Sequence, residues 1–378
     1  MRRSSERIVT THTGSLPRPS YLLDVMTGTD DAARTDAVRR AVSEVVARQI
    51  DSRVDVINDG EMSKESYSTY VRERLSGFEG EGEQAIGMPD LMEFPNFTER
   101  FMREVGPAAA RVMTPPACTG PIAVKDRSQV AKDIDHLRAA VAATGDDVEV
   151  FMSAASPGVV ALFFVNHHYP DRESYVAAIA DAMREEYEAI ADAGFLLQLD
   201  CPDLAMGRHI QFADASLDEF RAQTRLNVEA LNAATANIDP DRLRMHLCWG
   251  NYEGPHHHDV ELRDIIDIVL DARPNAISLE ACNPRHGHEW AVFEDVSLPD
   301  DKVLIPGVVD STNNYIEHPQ LVAQRLTRYA DLIGRERVIA GTDCGFGTAA
   351  GVETVDPDIA WAKLDAMRRG AEIASETP

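Results

Sequence analysis

Residues 245–251 (MHLCWGN) place an imidazole and a thiol at the end of a short apolar run. His246 and Cys248 are two positions apart, and the run at 243–248 predicts a β-strand. Because residues two apart on a strand point to the same side, these two side chains should converge on one point.

Two further predicted strands end in residues of the same chemical kind. The run at 276–280 ends in Glu280, and the run at 337–341 is followed by Cys344. Together with His246 and Cys248, these residues make a possible four-ligand set for zinc, which accepts mixed nitrogen, sulfur and oxygen donors. Each residue alone has a simpler reading, since a buried cysteine often serves as a small hydrophobe and a strand-end glutamate as a solvated carboxylate.

Strand and helix patterns alternate along most of the chain, which predicts an α/β fold, a (βα)8 barrel. Strands are predicted at 8–11, 54–57, 148–153, 195–200, 243–248, 276–280, 303–308 and 337–341. Helices are predicted at 31–52, 128–143, 171–193, 214–236, 259–272, 317–334 and 357–374. The pattern therefore predicts one barrel domain over residues 1–378.

One segment breaks the alternation. Residues 62–118 are rich in Gly, Glu, Met and aromatic side chains, which predicts an insertion that caps one end of the barrel. A hairpin is predicted at 119–124, outside the main sheet, so that 62–125 forms an insertion and hairpin within the domain.

Composition excludes several classes of partner. The chain has 378 residues, of which 44% are hydrophobic and 26% charged, so it can bury a large core. A formal net charge of -26 argues against nucleic acid and anionic membranes as partners. Five widely spaced cysteines suggest no disulfide framework, and the N-terminus carries no apolar segment typical of a signal peptide. A cytoplasmic protein is expected.

A barrel of this type has its active site at the carboxyl ends of its strands. Several candidate functional residues fall there: Ser15, Glu61, Asp200, His246, Cys248, Glu280 and Cys344.

Short motifs spread over most of the chain resemble the catalytic half of cobalamin-independent methionine synthase, in that family's order. The matching motifs are GSLP (14–17), DGE (59–61), QLDCP (198–202), HLC (246–248), SLE (278–280), PGVVD (306–310) and DCG (343–345). The same superfamily includes epoxyalkane:coenzyme M transferases and the related barrel of uroporphyrinogen decarboxylase.

The resemblance implies roles for the candidate residues. His246, Cys248, Glu280 and Cys344 match the family's zinc ligands, so Zn²⁺ is the implied cofactor. Glu61 and Asp200 match the carboxylates that hold the homocysteine amine and are the candidate catalytic acids, and Ser15 matches a group near the substrate carboxylate.

The chain departs from the family pattern in three places. Cys201 stands where the family usually has Glu, and Asp310 is followed by 311–313 (STN), without the family's nearby His. The N-terminal barrel of the long enzymes, which contributes to folate binding, is not seen. The donor half of the reaction is therefore less supported than the thiol half, and we expect poor use of free methyltetrahydrofolate.

These residues favour alkyl transfer to sulfur. Two thiolates, one carboxylate and a neutral imidazole would give a zinc site a formal charge of -1, which suits a substrate sulfur kept as a nucleophilic thiolate. The expected activity resembles 5-methyltetrahydropteroyltriglutamate–homocysteine S-methyltransferase in methionine biosynthesis, with homocysteine and an alkyl donor as partners. A homo-oligomer and a corrinoid carrier protein are further candidate partners.

Three alternatives stay open at this stage. A zinc-bound thiol could open an epoxide, as in the coenzyme M transferases, or the chain could be a metal-free decarboxylase. A structural zinc in a binding protein is the simplest alternative. Residues 256–258 (HHH) could gate the site or bind a second metal, but a solvated helix start is the favoured interpretation. His286 and His288 could relay protons in place of the missing His, and a surface position explains them equally well.

Overall fold

Eight parallel strands form a nearly closed barrel, which confirms the predicted fold class. The computed structural model describes residues 1–26, 28–80 and 87–376, with the side chains of 106–113 outside that description. The strands are β1 (Val9–Thr10), β2 (Val56–Ile57), β3 (Glu149–Ala155), β4 (Leu196–Asp200), β5 (Leu243–Leu247), β6 (Ala276–Leu279), β7 (Val303–Val309) and β8 (Ile339–Thr342).

Neighbouring strands pair in sequence order from β2 to β8, and β8 also pairs with β1. The gap between β1 and β2 is spanned by two hydrogen bonds. The Asp55 N–H donates to the Thr10 carbonyl at 3.1 Å, and the Thr11 hydroxyl donates to the Val56 carbonyl at 3.0 Å. The carboxyl ends of all eight strands therefore lie at the same end of the barrel, which we call its mouth.

The barrel interior is filled in layers. A separate apolar cluster, which includes Val9, Phe151 and Ile305, lies among the strands. The buried guanidinium of Arg244 stacks 4.0 Å from the ring centroid of Phe151 and donates to the Thr11 hydroxyl at 3.0 Å. Side chains that point into the barrel recur at every second residue of a strand. Because Arg244 on β5 points into the barrel, His246, two residues later, points inward as well.

Fourteen α-helices are present in the described part of the chain. They are α1 (Ser20–Met26), α2 (Asp31–Asp51), α3 (Val71–Arg74), α4 (Pro89–Met92), α5 (Pro95–Met113), α6 (Ser128–Thr144), α7 (Pro157–Phe163), α8 (Arg172–Asp192), α9 (Gly207–Ile210), α10 (Leu217–Ala234), α11 (Ile266–Leu270), α12 (Val292–Asp295), α13 (Pro319–Ile333) and α14 (Pro357–Glu376). None of these described helices is both long and apolar enough to cross a bilayer.

Two local predictions differ from the structure. The helix predicted over 259–272 is a 3₁₀ turn at Leu262–Asp264 followed by the short α11. The hairpin predicted over 119–124 is wrong, because Val124 pairs antiparallel with Leu75 and Cys118 pairs parallel with Asn166.

The segment predicted as a capping insertion contains α3, α4 and α5, while its residues 81–86 lie outside the described chain. Side chains from this segment, Met88, Phe101 and Val105, line a cavity at the mouth of the barrel. We refer to residues 87–105 as the cap.

Candidate active site

His246, Cys248 and Cys344 converge at the mouth of the barrel. The Sγ atoms of Cys248 and Cys344 lie 3.2 Å apart, and His246 Nε2 lies 3.4 Å from Cys344 Sγ. Their three donor atoms all lie within 4.8 Å of one another, and all three residues are buried. The period-two spacing on β5 and the position after β8 thus bring these predicted residues together.

The imidazole of His246 is oriented and kept neutral by its surroundings. Its Nδ1 lies 3.2 Å from the Ser278 hydroxyl, which leaves Nε2 directed toward Cys344. Burial, helped by the nearby Arg244 charge, lowers the pKa of His246 to about 3. A neutral imidazole with one nitrogen held by a neighbour is the form in which histidine binds a metal.

The two thiols carry no charge of their own at neutral pH. The hydrogen bond with Cys344 lowers the pKa of Cys248, but burial and the Glu280 carboxylate outweigh it and raise that pKa to about 11. Burial likewise raises the pKa of Cys344 well above its usual value. A cation that binds both sulfur atoms would have to displace two protons.

The donor set fits a zinc-type cation. With zinc bonds of about 2.3 Å to sulfur and 2.0–2.1 Å to nitrogen, tetrahedral ligands lie roughly 3.5–3.8 Å apart. The nitrogen–sulfur separation of 3.4 Å is close to that range, whereas the sulfur–sulfur separation of 3.2 Å would have to widen by roughly 0.6 Å when the ion binds. Buried thiols beside a neutral imidazole suit a soft or borderline ion.

Glu280, the fourth predicted ligand, is not among the three described donors that converge within 4.8 Å of one another. Its Oε1 accepts a hydrogen bond of 2.7 Å from the Trp249 N–H, and its Oε2 accepts one of 2.7 Å from Asn283 Nδ2. Both carboxylate oxygens are therefore engaged by the loops that follow β5 and β6. The residue still borders Cys248, since its charge raises the pKa of that thiol.

The loop that carries Cys344 is fixed by its neighbours. The Asp343 carboxylate accepts hydrogen bonds from the backbone N–H groups of residues 281–283, at 2.8–3.1 Å. The Cys344 N–H donates to the Ser311 hydroxyl at 3.1 Å, and that hydroxyl donates to Asn251 Oδ1 at 2.9 Å. Ser311, one of the departures from the family pattern, thus supports the thiol loop.

Asp200 lies beside His246, its partner in the β4–β5 register. Its Oδ1 accepts a 2.8 Å hydrogen bond from Gln198 Nε2. Burial and the neighbouring Glu61 charge raise the pKa of Asp200 to about 8, which favours the protonated carboxyl over the carboxylate.

Glu61 presents an unsatisfied acceptor at the same cavity. Its Oε1 accepts a 2.6 Å hydrogen bond from the Ser153 hydroxyl, whereas its buried Oε2 has no partner among the described residues. Gly14 allows this approach, because a Cβ there would lie 2.5 Å from Glu61 Oε1. An acceptor without a donor is costly when buried, which favours a ligand donor at this position.

Ser15 lies between the first loop and the loop after β8. Its hydroxyl accepts a 3.3 Å hydrogen bond from the Gly347 N–H, and its carbonyl accepts one of 2.8 Å from Phe346. The residue lines the same cavity as Glu61 and Asp200. Ser15 therefore fixes one wall of the site and has its side chain at the cavity.

The cavity has a volume of about 200 Å³. The donors and the two acids form its polar part, and mostly apolar side chains surround the rest: Tyr67, Met88, Phe101, Phe163, Met206, Ile210, Tyr252 and Phe346. The space can thus take a small polar molecule against the donors and an apolar one under the cap.

Sequence reasoning missed residues that support the site through long-range contacts. Tyr67, from the inserted segment, lines the cavity close enough to Cys248 and Asp200 for their charges to raise its pKa further, after burial. Asn251 donates to the Gly345 carbonyl at 2.8 Å. The one sequence signal that pointed to Asn251 as a site residue was its position three residues after Cys248.

His286 and His288 lie apart from the active-site cavity. His286 is buried, with Nδ1 2.9 Å from Glu289 and Nε2 3.0 Å from Asp259, and its ring stacks on Trp249 at 4.1 Å. Burial lowers its pKa, but those two carboxylates outweigh burial and raise it to about 10. Neither His286 nor His288 is among the described residues that line the cavity.

Comparison with known proteins gives one consistent result. Residues 159–372 match the family model described as the catalytic domain of cobalamin-independent synthase. A methionine synthase of Saccharolobus solfataricus is 24% identical over 376 residues, covering 97% of this chain and 95% of that protein. A 5-methyltetrahydropteroyltriglutamate–homocysteine methyltransferase of Yersinia enterocolitica is 25% identical and covers 91% of this chain but 41% of its own length.

The fold agrees with a solved structure. A B12-independent methionine synthase from a Shewanella species, in complex with selenomethionine, superposes with a TM-score of 0.73 at 18% identity, covering 97% of each chain. Since the family model matches more than half of the residues, this chain belongs to the cobalamin-independent synthase family through its catalytic domain.

Proposed function

We propose that this protein transfers a methyl or related alkyl group to the sulfur of homocysteine, with a zinc ion held by His246, Cys248 and Cys344. The observation that carries this proposal is the convergence of those three buried donors within 4.8 Å, beside two buried acids. Family membership and the methionine synthases among the relatives support the same reaction class.

When bound, zinc would supply the positive charge that keeps a substrate thiol as a thiolate near neutral pH. His246 contributes a neutral nitrogen, and Cys248 and Cys344 contribute charge once deprotonated. Glu280, which borders Cys248, could become a fourth ligand if its carboxylate released the Trp249 N–H. A ligand set rich in negative charge suits attack by sulfur on carbon better than activation of water.

Glu61 and Asp200 would hold the amino group of homocysteine. The free Oε2 of Glu61 accepts one N–H, and Asp200 gives up its proton when a cationic amine arrives, since an adjacent positive charge favours the carboxylate. Ser15 lines the same cavity and offers a hydroxyl to the substrate carboxylate. These contacts would orient the sulfur toward the metal ligands and favour a thiol that carries an amino group.

The mostly apolar part of the cavity under the cap would receive the alkyl donor. Met88, Phe101 and Phe163 line this space and would exclude water from the reacting atoms. Attack by the sulfur forms the new carbon–sulfur bond, while the bond between the alkyl carbon and the donor breaks and the donor keeps the electron pair.

The test combines metal analysis with an alkyl-transfer assay. Purified protein should bind about one zinc per chain at this site and methylate homocysteine. Cys344→Ser should lose the metal and the activity while the barrel stays folded. Cys118→Ser is the matched control, because Cys118 is also buried but makes only a weak contact with the Gly120 carbonyl. Full metal binding and turnover in Cys344→Ser would overturn the proposal.

A further inference from the structure

A second group of converging His and Glu side chains lies outside the active site, on the surface of the barrel mouth. His257 Nε2 lies 3.0 Å from Glu93 Oε2, and His258 Nε2 lies 2.6 Å from Glu93 Oε1. The three side chains offer donor atoms that all lie within 4.8 Å of one another. Their side chains are 36–52% exposed, so an ion from solution can reach them.

The geometry of this group resembles a coordination site. Two imidazoles from successive residues are tilted by 36° with centroids 4.2 Å apart, and both direct Nε2 to one carboxylate. Tetrahedral zinc with two nitrogen ligands and one oxygen ligand separates its donors by roughly 3.4 Å. The two nitrogen–oxygen separations of 3.0 Å and 2.6 Å would have to widen by roughly 0.4 Å and 0.8 Å, which exposed side chains can do, and water can take the remaining positions.

The group joins two parts of the chain that close the cavity. Glu93 belongs to the cap, directly after α4, and the two histidines belong to the loop that follows β5 and Cys248. The same two parts also meet through Asp90, whose Oδ2 accepts hydrogen bonds from the Tyr252 hydroxyl and from the His256 N–H, the latter at 3.2 Å. A cation on Glu93, His257 and His258 would therefore fasten the outer edge of the cap to the loop.

We propose that Glu93, His257 and His258 form a second site, for a first-row divalent cation that prefers imidazole nitrogen, such as Zn²⁺ or Co²⁺. The imidazoles would bind in the neutral form and the carboxylate would supply the negative charge. The site differs from the active site because it contains no thiol and is open to solvent. It would stabilise the contact between the cap and the loop after β5.

Cobalt titration of the full-length protein separates the two sites. Co²⁺ at Cys248 and Cys344 gives thiolate-to-metal charge-transfer absorption, whereas Co²⁺ bound through nitrogen and oxygen alone does not. Wild-type protein should bind two ions, of which one appears only by calorimetry and weak visible absorption. The variant Cys248→Ser/Cys344→Ser should retain that second ion, so this test does not depend on the proposed reaction.

The decisive variant is His257→Ala/His258→Ala. Because even outer-shell partners contribute about ten- to hundredfold to metal affinity, loss of two ligands should weaken the second ion by well over tenfold. The matched control is His167→Ala/His168→Ala, an adjacent exposed pair that belongs to no group of converging donors among the described residues. Hydrogen exchange of residues 88–101 should slow on cobalt addition in the control but not in His257→Ala/His258→Ala.

Two results would overturn the proposal. One is a wild-type protein that binds cobalt only at the thiolate site. The other is a second ion that His257→Ala/His258→Ala binds as tightly as the wild type.

Discussion

Single residues at the barrel mouth are held in uncharged forms that a metal or a substrate would change. Burial favours the neutral form of His246 and the protonated thiols of Cys248 and Cys344, and burial with the Glu61 charge favours the protonated form of Asp200. Cys248 and Cys344 must therefore lose protons when a metal binds, and Asp200 must lose its proton when the substrate amine binds. Metal binding and substrate binding should both depend on pH.

Metal binding should release protons. Cys248 has a pKa of about 11 and that of Cys344 is raised further above its usual range, so each thiol must lose a proton, while His246, with a pKa of about 3, has none to lose. Near neutral pH the logarithm of zinc affinity should therefore rise by about two per pH unit. Calorimetry in buffers of different ionisation enthalpy measures the number, and binding without proton release would contradict the ligand assignment.

Asp200→Asn should impair recognition of the substrate amine. Loss of a charge-assisted hydrogen bond costs about 1.5–3 kcal/mol, so homocysteine should bind roughly ten- to hundredfold more weakly. A thiol of equal length without the amine is the control ligand and should lose little. In the wild type, homocysteine affinity should rise as the pH approaches about 8, because Asp200 must release its proton to pair with the amine.

Equal losses for the two thiols in Asp200→Asn would assign the acid another role. Binding assays by calorimetry on the zinc-loaded protein distinguish these outcomes, because they report affinity without a methyl donor.

At the level of elements, the position of Cys344 depends on close packing between β7 and the loop that follows β8. Gly307 on β7 leaves room for Asp343, since a Cβ at that position would lie 2.1 Å from Asp343 Oδ1 and 2.6 Å from its Cα. The side chain that anchors the Cys344 loop therefore depends on a glycine of the neighbouring strand.

Gly307→Ala should destabilise the protein and weaken metal binding together. Forcing a methyl group into a packed site costs about 1–3 kcal/mol, and the shift falls on the residue before Cys344. Gly87→Ala is the control, because a Cβ there meets nothing within 4 Å. Urea unfolding and zinc titration measure the two effects. A Gly307→Ala protein with wild-type stability and zinc affinity would show that the close contact with Asp343 leaves room for a side chain at position 307.

The barrel could be predicted from sequence because each strand is a short apolar run and each inward position follows from the two-residue period. That same period brought His246 and Cys248 together. The pairing of Val124 with Leu75 and of Cys118 with Asn166 could not be predicted, since the paired residues are distant from each other in the chain. Nor could the position of the Glu280 carboxylate, because the Trp249 N–H and Asn283 that hold it become neighbours only in the folded loops.

At the scale of the whole molecule, the cap and the barrel together limit the alkyl donor. Among the described residues that line the cavity, His246 is the only histidine, and none is Lys or Arg. A methyl group bound to a tertiary amine leaves easily only if the nitrogen is protonated, which calls for a general acid. If Glu61 and Asp200 hold the substrate amine as proposed, neither is available as that acid, and we expect a donor that needs no general acid to react faster.

We therefore predict that free methyltetrahydrofolate is a poor donor. With homocysteine as acceptor, its turnover should fall well below the order of 1 per second, while a sulfonium, a methylated corrinoid or an epoxide should react faster. Parallel assays with each donor at equal concentration make the comparison. Turnover near that order with methyltetrahydrofolate alone would contradict this prediction.

The central claim is that the ion held by His246, Cys248 and Cys344 binds the substrate sulfur. X-ray absorption at the zinc edge, before and after addition of homocysteine, tests it most directly. It is best recorded on His257→Ala/His258→Ala, so that only the ion at the active site contributes. We predict two sulfur ligands in the free protein and three after homocysteine is added. A zinc environment that stays unchanged under saturating homocysteine, or that contains no protein sulfur at all, would contradict the account.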